Sequence, residues 1–506
     1  MTQLAVILAV ATVFARDLVA RPIMYSMLGP AGAAWATLGG TAMVALLLWA
    51  GVGWSARRME RTGSLAMVTL TDQMIATSRW GILVWHVLAV LVFGWLDAVR
   101  AVVGNTFGAD ELIAIGPVLA VFVVGWWAAF PVDRMLREAV ILRNLDHGLA
   151  VRAGPTRRQF VVMNIRHDLL IVLLPLAVLI VWSEAVERLF GGLILRAGAP
   201  TLRVDSIYDR VAAWLHNTGT AEPIHTAVRV LGSLAVFALL PLALRLVWDA
   251  EPLDVGSLRD RLLALCKRHG VRIRELLVWR THGSVANGAV IGLFGRLRYV
   301  LLSEVLLERL SEREVEAVMA HEVGHVRRRH MIWLIVALLA CTGGASAGLE
   351  LVGRGMVTAG GVPEELIERW VGGVTAVVAS LVGLPLGLLA FGWISRRFEW
   401  QADAFAAQHL SGLVTARKSP GNAEGLLITS EAAGAMKGAL RTVAIVNHMD
   451  PWRFSFRHGS IARRMKNLEA LVGIPAESLR IDASVRRIKI VCGIVATLLL
   501  VWAFWP

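Results

Sequence analysis

"EAVMAHEVGHVRRRHMIWLIVALLA", residues 316–340, sets two histidines and a glutamate beside three arginines and then runs directly into hydrocarbon. The polar half reads as a helix. Ser311 and Glu314, just upstream in "SEREVEAVMAHEVGHV", have the spacing of a capping box. Val315, Val318 and Met319 recur at helical spacing, so His321 and His325 fall one turn apart on one face. Two neutral imidazoles placed this way can reach one zinc ion. Glu322, next to the first of them, is placed to take a proton from zinc-bound water without entering the coordination sphere. The small Gly324 lets another segment pack closely. His330, five residues past His325, falls off that face and reads as a helix-end or interfacial histidine. A catalytic zinc wants three protein ligands and one open position, so a third ligand has to come from elsewhere in the chain.

Composition says where such a site would sit. Of 506 residues 56% are hydrophobic and only 18% charged, against about 25% in ordinary soluble domains. Mean hydropathy is +0.62, which points to a polytopic membrane protein. The net charge of +13 comes from arginines in loops between apolar runs, where they anchor and orient helices, so no nucleic-acid partner is expected. Cys266, Cys341 and Cys492 are far apart and form no CxxC, which argues against a disulfide framework or thiolate-bound zinc.

Apolar runs able to cross the bilayer lie near 31–53, 80–98, 111–131, 169–187, 228–248, 331–350, 371–393 and 488–505. A weaker run, 3–20, is interrupted by Arg16 and Asp17 and reads as an uncleaved first span. The expected fold is mostly α, a polytopic membrane protein with transmembrane helices and a small α+β core. The expected domains are an N-terminal membrane region over 1–250, a core over 251–480 interrupted by the two-span hairpin 331–393, and a final span in 481–506. Arginine-rich loops, together with segments 249–330 and 394–487, fall on one side if the spans alternate, and positive-inside bias makes that side cytosolic. The acidic loop 351–370 falls on the other side. Loop 411–425 reads as mobile from its Gly, Ser, Pro and Asn content. His86, inside a span, reads as a hydrogen-bonded packing residue, and the front spans lack the paired intramembrane charges a transporter would need.

The third ligand is found in "ISRRFEWQADAFAAQHL", residues 394–410. Glu399 and Asp403 are four apart on a helix and face the same way. Glu399 completes a His, His, Glu set. Asp403, one turn on, is placed to accept a hydrogen bond from a ligand imidazole and fix its tautomer.

HEVGH, then a membrane hairpin, then "EWQAD" resembles the gluzincin membrane metallopeptidases, the family that includes the CAAX prenyl proteases and the HtpX-type heat-shock proteases. The stretch from Val285 to His325 is similar to that family's edge strand, second strand and zinc helix. In it, Ala286, Asn287, Gly288 and Ala289 belong to an apolar strand that could pair with an extended peptide substrate. "AMKGALRTVAIVNHMDP" resembles the helix after the third ligand. "FRHGSIARRMKNLEAL" resembles the family's His-Pro-Ser…Arg element, which implies that His458 and Arg464 stabilise the tetrahedral intermediate; Gly459 replaces the usual proline.

The resemblance covers about 255–475 and leaves the first 250 residues unmatched. It implies an integral-membrane zinc endopeptidase with one zinc ion and Glu322 as general base. The partners it implies are a membrane or membrane-associated polypeptide as substrate and the lipid bilayer, with the site facing the cytosol. The alternative is a catalytically silent membrane scaffold that keeps the peptidase fold.

Overall fold

The structure is a computed structural model describing residues 2–18, 22, 24–105, 108–146, 154–197, 214, 221–281, 283, 285–360, 382–412, 426–447, 449–477 and 479–504. Most of loop 411–425 and half of the expected span 371–393 lie outside the described residues. The chain separates into two compact units, Met1–Asp249 and Ala250–Pro506.

The first unit is helical throughout its described length. Helices α1 (Thr2–Ala15), α2 (Tyr25–Thr62), α3 (Ala66–Leu88), α4 (Trp95–Val103), α5 (Ala109–Asp146), α6 (Arg157–Asn164), α7 (Ile171–Ala197) and α8 (Ala221–Val247) follow one another. Five long apolar segments here can cross a membrane: Tyr25–Thr62, Ala66–Phe93, Ala109–Ala139, Arg157–Phe190 and Ile224–Arg245. The expected first span is different. Its helix α1 has 14 residues, too few to cross about 30 Å of hydrocarbon, and buries Ala5, Val6, Ala9 and Val13 in the unit's core. The run 80–98 is also cut, because the helix ends at Gly94, whose φ of +77° is left-handed. His86 is buried, and its Nε2 lies 3.2 Å from Ala9 O, which ties α3 to α1. Near helix ends of this unit Arg100 contacts Asp17 (2.6 Å) and Asp110 (2.7 Å), and Arg16 contacts Asp97 (2.8 Å); Arg137–Asp133 (2.5 Å) and Arg188–Glu184 (3.2 Å) pair one turn apart within helices.

The second unit carries the small sheet. Strands β1 (Ala250–Pro252), β2 (Glu275–Trp279), β3 (Gly288–Ile291) and β4 (Tyr299–Ser303) assemble in the order β1-β2-β4-β3. β2 and β4 are parallel and the outer pairs antiparallel. All five residues of "YVLLS" in β4 are buried, as a central strand covered on both faces requires. β3 forms an open edge.

Around the sheet lie α9 (Ser257–Arg268), α10 (Glu304–Arg309), α11 (Glu312–Arg327), α12 (His330–Ala359), α13 (Leu384–Leu410), α14 (Ser430–Val446), α15 (Ile461–Glu469) and α16 (Arg480–Phe504). Within α12, His330–Leu349 is the sixth segment able to cross a membrane among the described residues. Leu262, Leu276, Leu302, Leu306, Met319 and Phe398 form the heart of the core. Ala402, Ala404, Ala406 and Ala407 on α13 are almost fully buried. Such small side chains let α11 and α14 approach this helix closely. Gly324 adds to that, because a Cβ there would meet the Phe405 ring at 3.0 Å.

Candidate metal centre

The capping box at the start of α11 forms: Ser311 Oγ accepts from Glu314 N–H (3.4 Å), and Glu314 Oε2 accepts from Ser311 N–H (2.9 Å). From that fixed start, His321 and His325 emerge one turn apart, with their Nε2 atoms 3.2 Å from each other. α13 is one unbroken helix from Leu384 through Glu399 and Asp403, so the apolar segment leading into it carries both acids directly to the histidines. Glu399 Oε2 lies 3.7 Å from His321 Nε2, and Oε1 lies 3.7 Å from His325 Nε2. A tetrahedral zinc about 2.0–2.1 Å from each donor would space them about 3.4 Å apart, so this donor set fits zinc by spacing and by chemistry. His321, His325 and Glu399 are one of two His and acid groups of metal-binding size among the described residues; the other, Asp110, Glu111 and Glu184, is all carboxylate.

Behind the donors is a second layer. Asp403 Oδ1 lies 2.9 Å from His321 Nδ1, and both Asp403 oxygens accept from Arg464, at 2.8 and 2.6 Å. Arg464 Nη1 is also 3.5 Å from Glu399 Oε2. His458 Nδ1 lies 3.1 Å from Glu399 Oε1, and half of the His458 side chain is exposed. Burial opposes ionisation of Glu399, but His458, His325 and Arg464 hold it well below the usual carboxylate range. For Asp403 the burial penalty is likewise outweighed by Arg464, which keeps the carboxyl ionised. Burial pushes His325 down to about 4, leaving its ring neutral, as a metal ligand must be. Burial also pushes Glu322 up to about 7, which brings its proton affinity into the working range of a general base.

The backbone of Val290 on β3 favours the ionised form of Glu322, so the edge strand runs past the same carboxylate. Ser303 N–H donates to Asn287 O at 2.9 Å, and this sets the alternation of the β3–β4 ladder. The backbone groups of Gly288 and Val290 therefore point off the open edge. The strand starts later than the sequence reading placed it. Ala286 precedes it and is closed off: its N–H donates to Asn447 Oδ1 and its O accepts from Asn447 Nδ2, both at 2.9 Å. Asn287 likewise binds Ser303 Oγ with its N–H, at 3.0 Å.

The turn before α15 also differs from the His-Pro-Ser pattern. Gly459 has φ +74°, which proline's ring, fixed near −65°, cannot adopt. His330 does stand at a helix end, as the first residue of α12, but it is not exposed as an interfacial residue would be. It is fully buried directly behind His325.

Residues 255–472 match the profile of Peptidase family M48. That segment is similar to the M48 peptidases. A rice protein named "CAAX prenyl protease 1 homolog" is 26% identical over 250 residues, 47% of this chain and 53% of its own. A Bordetella avium "Protease HtpX homolog" is 31% identical over 159 residues, 30% of this chain and 51% of its own. The chain thus spans about half the length of the curated relatives it matches. A crystal structure of S. mikatae Ste24p aligns over 85% of this chain and 98% of that one, at 13% identity and a TM-score of 0.34, too loose a likeness to argue from.

Proposed function

We propose that this multi-pass M48 peptidase is a zinc endopeptidase that cuts membrane or membrane-associated polypeptides, with Glu322 as general base. The observation that carries this reading is convergence. Three metal donors and a carboxylate with raised proton affinity meet beside the open edge of β3. A silent scaffold would have no need to retain Glu322, which is not one of the three donors.

Zinc held by His321, His325 and Glu399 would supply Lewis-acid activation of water and of the scissile carbonyl. An extended substrate adds as a strand to β3, using the outward backbone groups of Gly288 and Val290, with Ala289 holding the register on β4. Glu322 then takes a proton from the attacking water and delivers it to the leaving amine. Asp403 fixes His321 with its proton on Nδ1, and Arg464 holds Asp403 and Glu399 in place. Exposed His458 is left at the open side to donate to the oxyanion. Chelation of the purified protein should abolish cleavage of an unstructured polypeptide, and zinc should restore it; cleavage that persists without metal would sink this reading.

We place the site on the cytosolic side from arginine bias. Ser257 and Ser430 are exposed in the peptidase unit and Gly360 lies beyond the α12 span. In a chain lacking Cys266, Cys341 and Cys492, single cysteines at 257 and 430 should resist an impermeant thiol reagent on intact cells, while one at 360 labels. The inverse pattern would move the site to the outer face.

A further inference from the structure

The sequence reading set His330 aside because a straight helix would carry it away from the ligand face. The helix is not straight. α11 ends at Arg327, Arg329 takes a left-handed φ of +56°, and α12 starts afresh at His330. The break swings the His330 ring under His325.

We propose that His330 is a positioning residue: it holds His325 in the tautomer that turns an unprotonated Nε2 toward His321 and Glu399. This rests on the metal site proposed above. The proton assignment runs inward from Asp482, on α16. Its carboxylate can only accept, and it takes Gln401 Nε2–H at 2.5 Å on Oδ1 and Arg328 Nη2–H at 3.2 Å on Oδ2. The Gln401 amide is thereby oriented, and its Oε1 faces His330 Nε2 at 2.9 Å. That oxygen accepts, so His330 Nε2 carries a proton. His330 Nδ1 lies 3.0 Å from His325 Nδ1, a contact that holds one proton. A ligand bonding through Nε2 must keep its own proton on Nδ1, so the shared proton is His325's and His330 Nδ1 accepts it. From Asp482 through Gln401 and His330 to His325, each contact then pairs a donor with an acceptor.

The ring cannot turn away from this task. It is fully buried, stacked on Phe398 with centroids 4.5 Å apart and planes at 12°, and set edge-on to His325 at 4.9 Å. Lys489, also on α16, donates to Arg328 O at 2.6 Å and fixes the far end. The two histidine ligands are thus supported differently. His321 is backed by the Asp403 carboxylate and His325 by a neutral ring, which adds no further negative charge beside Glu399.

The test uses full-length detergent-solubilised protein and zinc itself, with affinity measured by chelator competition and the zinc-free melting temperature recorded alongside. His330→Phe keeps the stack on Phe398 but offers no acceptor, and should weaken zinc by about 10–100-fold, with only the small fall in zinc-free melting temperature that orphaning Gln401 Oε1 brings. His330→Asn restores an acceptor and should recover most of the affinity; Gln401→Leu should resemble His330→Phe. Wild-type affinity in His330→Phe would overturn the proposal. So would equal losses in His330→Phe and His330→Asn with a markedly lowered zinc-free melting temperature, since that marks a packing role. If the unaltered protein binds no zinc, the metal site itself is wrong and the relay falls with it.

Discussion

Glu399→Ala should purify without stoichiometric zinc and cleave nothing. Each oxygen of Glu399 faces one histidine ligand, so the substitution leaves two imidazoles and no third protein donor. Two donors do not retain a catalytic zinc against dilution. The fold should survive, because the buried Arg464 keeps its paired bonds to Asp403 and is not left as an uncompensated charge. Asp403→Ala gives the internal contrast. All three donors remain, but His321 loses the carboxylate beside its Nδ1, so zinc should weaken by about 10–100-fold without vanishing. Elemental analysis of both variants reads the difference. Full zinc in Glu399→Ala would mean that the third ligand lies elsewhere.

The second large effect has the opposite metal signature. Glu322→Gln should retain one zinc ion and lose proteolysis by about 10²–10⁴-fold, the usual contribution of a positioned general base. Glutamine is nearly isosteric, so the packing of Glu322 beside the edge strand is kept. What it lacks is a site that takes up a proton near neutral pH. Burial gives the glutamate that property by raising its pKa to about 7. Stoichiometric loss of zinc from this variant would make Glu322 a ligand, and undiminished cleavage would remove it from the chemistry.

These residues were legible because their chemistry is local. A capping box fixes where α11 begins, and the spacing of four on α11 and again on α13 does not depend on the rest of the fold. Six of the expected spans were legible for the same reason, since long apolar runs declare themselves; 3–20, 371–393 and 488–505 are not among the helices able to cross a membrane among the described residues. Gly94 was missed as a stop because an isolated glycine in an apolar run does not announce a left-handed turn.

What stayed hidden depends on distant partners. Asn447 clamps Ala286 across 161 residues, and nothing near either residue marks the other. His330 was set aside on the assumption of a continuous helix, whereas three arginines and one positive φ break the helix and redirect the ring. Gln401 and Asp482 are ordinary surface types in sequence, and only the meeting of α13 and α16 gives them a role behind His325.

The most direct measurement is zinc-edge X-ray absorption on full-length Glu322→Gln protein, which holds the metal without digesting itself. The expected shell is two imidazole nitrogens and carboxylate or water oxygens at about 2.0–2.2 Å, with no sulfur near 2.3 Å. The imidazole signal should fall in His321→Ala and in His325→Ala. A sulfur shell, or an unchanged spectrum in those two variants, would place the metal somewhere other than among His321, His325 and Glu399.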